Sequence, residues 1–301
     1  YTTLFRSIVV ARNKEGGITK NYRDAFAKGA LILAAANNQD GVDRSNRLTP
    51  LAASWSEGTG KATGQSRFMR LRELTPILTA PEEPLPLLRL GLRVADGETP
   101  ETSFLADRDM NPAVTGTCQS EVNCTAKQLL IPQGANDTMI AYYGRLLAST
   151  RQGTASAPLA LPLQVQYFEG GGWKINQADV CTQLSLANNG FDPATILDPT
   201  RHISFNNGSY EVTGQVPGNT PPQSFNSTLT LSGLAAPASV ATANKGEILF
   251  HFSAPNVAVR IPYKVELSKQ PSSPLWLSDP ATANDGNLQG EAIFGSTRGN
   301  D

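Results

Sequence analysis

Leu159-Ala-Leu-Pro-Leu-Gln-Val-Gln-Tyr-Phe168, followed by Glu169-Gly-Gly-Gly-Trp-Lys-Ile175, decides the fold class. From Leu161 onward apolar and polar residues alternate, so Leu161, Leu163, Val165 and Tyr167 share one face of an extended strand. The glycine run then supplies the positive φ that a tight turn needs, and Trp173 opens the returning strand. A hairpin of this kind calls for other strands to cover its apolar face. The flanking sequence supplies them at Met139–Leu147, Ser209–Val212, Ser227–Leu231, Glu247–Phe252 and Ala258–Leu267, joined by Pro, Gly and Asn. Strands repeating at this spacing without helical periods predict a sandwich or barrel rather than a βαβ sheet.

The N-terminal half uses the same idiom. Phe5–Arg12 is β-branched and apolar, Lys14-Glu-Gly-Gly17 reads as a turn, and Ile18–Tyr22 alternates. Ala25–Ala36 has helical propensity, but Gly29 interrupts it and Leu31-Ile-Leu33 suits a buried strand, which is the preferred reading. Residues 37–68 look loop-rich around Trp55, and Leu85–Val94 is a strand ending at the turn pair Asp96-Gly97. The expected architecture is all-β, with tandem immunoglobulin-like β-sandwich modules at 1–138 and 139–301. The boundary falls in the polar stretch Gln133–Thr138.

Composition narrows the function classes. The 301 residues carry a net charge of −1, with 17% charged and 40% hydrophobic residues. No basic field exists for non-specific binding of nucleic acid, and the apolar content suffices for a sizeable core. No apolar run reaches the ~18 residues a membrane-crossing helix needs. The chain opens at Tyr1 within strand-like sequence, which reads as a fragment of a longer protein.

Three cysteines are too few and too spread for a zinc site. Cys118 and Cys124 are candidates for a disulfide closing a short loop, and Cys181 is either unpaired or an alternative partner. The strand-and-turn composition leans toward export and oxidation. His202 and His251 are the only histidines, neither accompanies a Gly-x-Ser-x-Gly elbow, and no catalytic residue is nominated. Calcium is the one cofactor with candidates: Asp96, Glu98, Asp107 and Asp109 in one group, Asp279 and Asp285 in another, weighed against ordinary solvated turn carboxylates. Trp55, Trp173 and Trp276 are candidates for stacking on a glycan, weighed against simple core packing. Asn207-Gly-Ser209 and Asn226-Ser-Thr228 fit the glycosylation pattern and would be idle in a bacterial host.

A series of short segments resembles the C-terminal region of the MSHA-pilus biogenesis protein MshQ family. They are Tyr143-Gly-Arg-Leu146, Leu161–Phe168, Gly172-Trp-Lys-Ile-Asn176, Asp179-Val-Cys-Thr182, Pro274-Leu-Trp-Leu277 and Glu291–Asp301. Val10–Asn13 and Gly17–Tyr22 resemble the opening of the preceding module. The resemblance implies an exported, β-rich, non-enzymatic protein of the bacterial surface, associated with type IV pili as a tip or adhesin component. Pilus or other surface-protein subunits are then its partners, with host or surface glycans a further class. The resemblance also implies upstream domains and one more strand after Arg298-Gly-Asn-Asp301, and it carries over no catalytic residue. Two rival readings remain: a carbohydrate-binding module using exposed aromatics, and an assembly-forming subunit that pairs edge strands.

Overall fold

The computed structural model describes residues 2–69, 80–96, 104–116, 118, 123–130, 138–186, 202–206, 209–216, 220–231, 240–271, 274, 277–278 and 287–295. Their regular secondary structure is almost wholly β-strand. The 3-10 turns that lie wholly among them are at Asp24–Phe26, Ser45–Arg47 and Leu267–Lys269. The chain divides into two units, Tyr1–Tyr143 and Gly144–Asp301.

The first unit has two sheets. One is antiparallel, in the order β1 (Thr2–Val10), β5 (Thr59–Arg67), β4 (Ala52–Ser56). The other runs β3 (Val42–Asp43), β2 (Ala30–Asn37), β6 (Leu85–Ala95), β7 (Lys127–Gln128), with β8 (Met139–Ala141) also paired to β6. Leu31, Leu33 and Ala35 of β2, Leu90, Leu92 and Val94 of β6, and Ala62 of β5 bury one common core, which makes the unit a β-sandwich. The opposite face of β2 is buried as well, and there small residues are required. Ala34 and Ala36 form a second cluster with Met110 and Ala126, and Gly91, which pairs with Ala34, lies directly under the Met110 sulfur. This explains why a run of alanines became a strand: it is covered on both faces, and its small side chains let the Met110–Ala126 segment approach.

Residues 37–68 are richer in strand than their composition predicts, since they hold the whole of β3, β4 and β5. The missed signal is the Glu57-Gly58 pair. Its φ angles of 47° and 78° make a two-residue hairpin turn of the type whose twist matches the strands it joins. Gly170-Gly171 and Lys245-Gly246 have the same double positive φ at their hairpins. Ile18–Tyr22, expected as a strand, contributes only an isolated bridge from Ile18 to Arg12 and otherwise turns.

The second unit is a larger sandwich. Strand β11 (Leu159–Glu169) lies within a sheet with β9 (Gly144–Ala148), β12 (Gly172–Ile175) and β18 (Glu247–Phe252), continuing through β16 (Gln223–Leu231) and β15 (Ser209–Val216) to β14 (His202–Asn206). Val165 donates to Gly246 O and accepts from Asn176 N, so β18 and β12 follow one another along the same edge of β11 and β9 takes the other. The facing sheet runs β10 (Thr150–Gly153), β20 (Asn287–Phe294), β19 (Val259–Glu266), with β10 and β20 parallel. A short pair, β13 (Gln183–Ser185) with β17 (Val240–Thr242), completes the unit. Leu161, Leu163, Val165, Phe250 and Phe252 from one sheet and Ile261, Tyr263, Val265 and Phe294 from the other share a single core. Each large side chain so buried contributes about 1.5–3 kcal/mol.

The stretch Met139–Leu147, expected as one strand, is two. β8 pairs with β6 in the first unit and β9 with β11 in the second, so the division falls at Tyr143/Gly144 rather than after residue 138. Alternation alone cannot reveal that a strand changes partner midway, because both halves keep the same period.

The end of β19 carries a charge cluster with a consequence for acid stability. Glu266 accepts from Lys269 Nζ at 2.8 Å and lies 3.5 Å from Lys264 Nζ, and the Lys269 hydrogen bond leads the effects that hold its carboxyl below the usual carboxylate value. A depressed folded pKa means stabilisation that is present above the unfolded value and lost as pH falls through the folded one. Glu266→Gln is therefore expected to reduce the drop in urea midpoint between neutral pH and about pH 3 relative to the parent chain. An unchanged drop would remove Glu266 from the account.

Candidate functional site

A polar and aromatic cluster lies on the outer face of the β9–β11–β18 region, opposite the core. The residues that alternate with Leu163 and Val165 are Gln164, Gln166 and Phe168, and each meets a cross-strand neighbour. Arg145 Nε donates to Gln166 Oε1 at 2.9 Å, Gln166 Nε2 to Gln164 Oε1 at 3.0 Å, and Gln164 Nε2 to Glu247 Oε1 at 2.9 Å. The Arg145 guanidinium carbon sits 4.0 Å from the centroid of the Trp173 ring, and Phe168 meets that ring edge-on at 5.6 Å. Gln166 is buried to 8% exposure by these neighbours. The array joins three strands through amide, carboxylate and guanidinium groups, chemistry that ties a sheet together and also suits a hydroxyl-rich or carboxylate-bearing ligand. One face of Trp173 is already taken by Arg145, so this tryptophan offers less to a sugar than its sequence setting suggests.

Below this array, Asp179 orders the entry to β13. Its carboxylate accepts from Cys181 N at 3.1 Å, Thr182 N at 2.9 Å and Thr182 Oγ1 at 2.8 Å, while its own carbonyl accepts from Gly246 N at 3.0 Å. The Asp179-Val-Cys-Thr182 motif is thus a side-chain-closed turn. Cys181 is free and exposed. Partial burial, followed by the nearby Asp179 charge, pushes its thiol above the usual value and keeps it protonated at neutral pH.

The other nominated residues are scattered. Cys118 and Cys124 form a disulfide with Cα atoms 5.9 Å apart, and Arg108 Nε binds the Cys124 carbonyl at 2.8 Å. Trp55 donates from Nε1 to Gly29 O at 2.6 Å and packs against the core of the first unit. Asp109 spends its carboxylate on Lys127 Nζ at 2.6 Å and Gln128 N at 2.7 Å, which holds β7 in place. Asp96 and Asp107 are also described, and among the described residues no three His, Cys, Asp or Glu side chains are grouped to hold a metal ion. Glu98, Trp276, Asp279 and Asp285 lie outside the described residues. Arg145, Gln164, Gln166 and Glu247 went unnoticed in the sequence. For Gln164 and Gln166 the signal was the polar half of the same alternation that fixed the core face.

Two self-contained β-sandwich units in tandem, each tied by hydrogen-bonded side-chain clusters and one by a disulfide, define a modular β-protein. Residues 4–125 match the third domain of DUF6701 and residues 142–301 match its fourth domain, so the chain belongs to the DUF6701 family. No curated protein matches the chain. No helix among the described residues is long and apolar enough to cross a membrane.

Proposed function

We propose that the chain is a non-enzymatic, extracellular structural or adhesion component, part of a type IV (MSHA-like) pilus-associated surface or tip protein built from immunoglobulin-like modules. The observation that carries this reading is the tandem of β-sandwich units, each with its own buried core. The disulfide supports an oxidising, exported setting. The polar clusters described above support it too, because their hydrogen bonds tie strands and turns together. The resemblance of Tyr143–Leu146, Gly172–Asn176 and Asp179–Thr182 to the MshQ family supplies the pilus association.

Antibody against the native chain, applied to intact cells of the source organism and to sheared pilus fractions, tests this directly. Surface labelling and co-fractionation with pili are the expected result. An epitope accessible only after lysis would overturn the reading. Carbohydrate binding is the second reading, and the Gln164–Gln166–Arg145 array favours it. Its signature would be glycan-array binding that Gln164→Ala weakens.

A further inference from the structure

Among the described residues strand β4 is a sheet edge, and its own sequence carries none of the devices that block edge pairing. Its sequence, Ala52-Ala-Ser-Trp-Ser56, contains no charge and no proline, and it pairs residue for residue with β5 without a bulge. Ala52, Ala53, Ser54 and Ser56 are exposed.

The hydrogen-bond phase shows which backbone groups of β4 are free. Ala11 N donates to Gly58 O at 2.7 Å, and β1 pairs antiparallel with β5 in the register Val9↔Gly60. Two residues on, Gly60 therefore also turns its N–H and C=O toward β1, and Thr59 and Lys61 turn theirs toward β4. Their partners Ser56 and Ser54 face β5. Ala53 and Trp55 consequently point both backbone groups outward, and among the described residues nothing pairs with them.

We propose that this edge pairs with a second copy of the chain, antiparallel, about a two-fold axis through Ser54. The edge is self-complementary in that register. Ala53 meets Trp55 of the other copy and Trp55 meets its Ala53, so all the outward N–H and C=O groups of these residues are satisfied at once. Ser54 faces its own counterpart, and Ala52 faces Ser56 of the other copy. Every opposed pair includes a small residue, and no like charges meet. The pairing extends a three-stranded sheet to six strands. It goes beyond the surface role proposed above and holds or fails without it.

Sedimentation equilibrium of the purified chain over a concentration series is the test. The parent chain is expected to form dimers of twice the chain mass. Ala53→Pro removes an N–H that points away from β5, a placement that edge strands tolerate, and should raise the dimer Kd by about tenfold or more while leaving in place the urea midpoint measured at a dilution where both proteins are monomeric. Ser54→Lys and Ser54→Asp, each alone, place like charges opposite one another and should be monomeric, whereas their equimolar mixture should associate. These two variants sit on the exposed outer face and decide the matter if Ala53→Pro fails to fold. A parent chain that stays monomeric up to its solubility limit overturns the proposal. So does a dimer untouched by Ala53→Pro, or a Lys and Asp mixture that does not associate.

Discussion

Replacing Gly290 by alanine is expected to cost the second unit about 3 kcal/mol, the upper end of what overpacking a filled site does. Gly290 pairs across the β19–β20 ladder with Tyr263, whose ring folds over the glycine. A Cβ at Gly290 would overlap the Tyr263 hydroxyl and ring carbon and the Ser149 carbonyl. None of these can retreat. The ring is 2% exposed and is held edge-on by Phe250, with centroids 5.1 Å apart, while Phe252 lies at 6.2 Å. Its hydroxyl donates to Ser149 O at 2.5 Å, and the same carbonyl accepts from Glu291 N at 3.3 Å. Burial pushes the phenol far above its usual pKa, so it stays a neutral donor throughout the physiological range. Ser149 thereby fastens the start of β10 to β20, and displacing the tyrosine loosens the first step of the parallel ladder. Tyr263→Ala alone should cost about 3–5 kcal/mol. The double variant should cost clearly less than the sum, because the overlap at residue 290 largely disappears once the ring is gone. Urea denaturation of the four proteins measures this, and additive costs would show that the ring does not confine Gly290.

The same pair marks where sequence reading reaches its limit. Alternation in Val259–Glu266 identifies Ile261, Tyr263 and Val265 as one buried face, since period 2 is a property of a single strand. That Tyr263 opposes Gly290 is a property of register, set jointly by two strands more than twenty residues apart, and no local pattern encodes it. The loop-like reading of residues 37–68 failed for a related reason. Strand propensity is largely a measure of side-chain packing on a half-buried surface. In β4 and β5 Trp55 is the one large apolar side chain, and the rest of the ladder is small or polar residues, with Ala62 filling the core beside it. The polar array was legible in principle, since Gln164 and Gln166 sit at every second position of the very stretch that revealed the fold. Arg145 and Glu247 were not, because only the assembled sheet places them beside those glutamines. The disulfide was legible as one of three pairings, and proximity within a short loop decides for Cys118 with Cys124.

Trp55→Ala is expected to destabilise the first unit by about 3 kcal/mol or more, and this separates a structural tryptophan from a sugar-stacking one. The ring lies over Gly60, its cross-strand partner, and meets Tyr22 edge-on with centroids 4.8 Å apart. Together the two aromatics grip the backbone of the buried Gly29. Trp55 Nε1 donates to its carbonyl at 2.6 Å, and its N–H donates to the Tyr22 hydroxyl at 2.7 Å. Gly29 immediately precedes β2, so the grip fixes where that strand enters the core. Either half can be removed separately. Trp55→Phe keeps an aromatic over Gly60 but leaves the Gly29 carbonyl unpaired, and Tyr22→Phe leaves its N–H unpaired, each at about 1–3 kcal/mol for an unsatisfied buried group. A tryptophan held for stacking on glycan would behave oppositely: its loss would abolish binding while the urea midpoint stayed in place. The expected pattern is a lowered midpoint in all three variants, deepest for Trp55→Ala. An unchanged midpoint for Trp55→Ala would return Trp55 to the list of binding residues and leave the entry of β2 to be fixed by its own core side chains, Leu31 and Leu33.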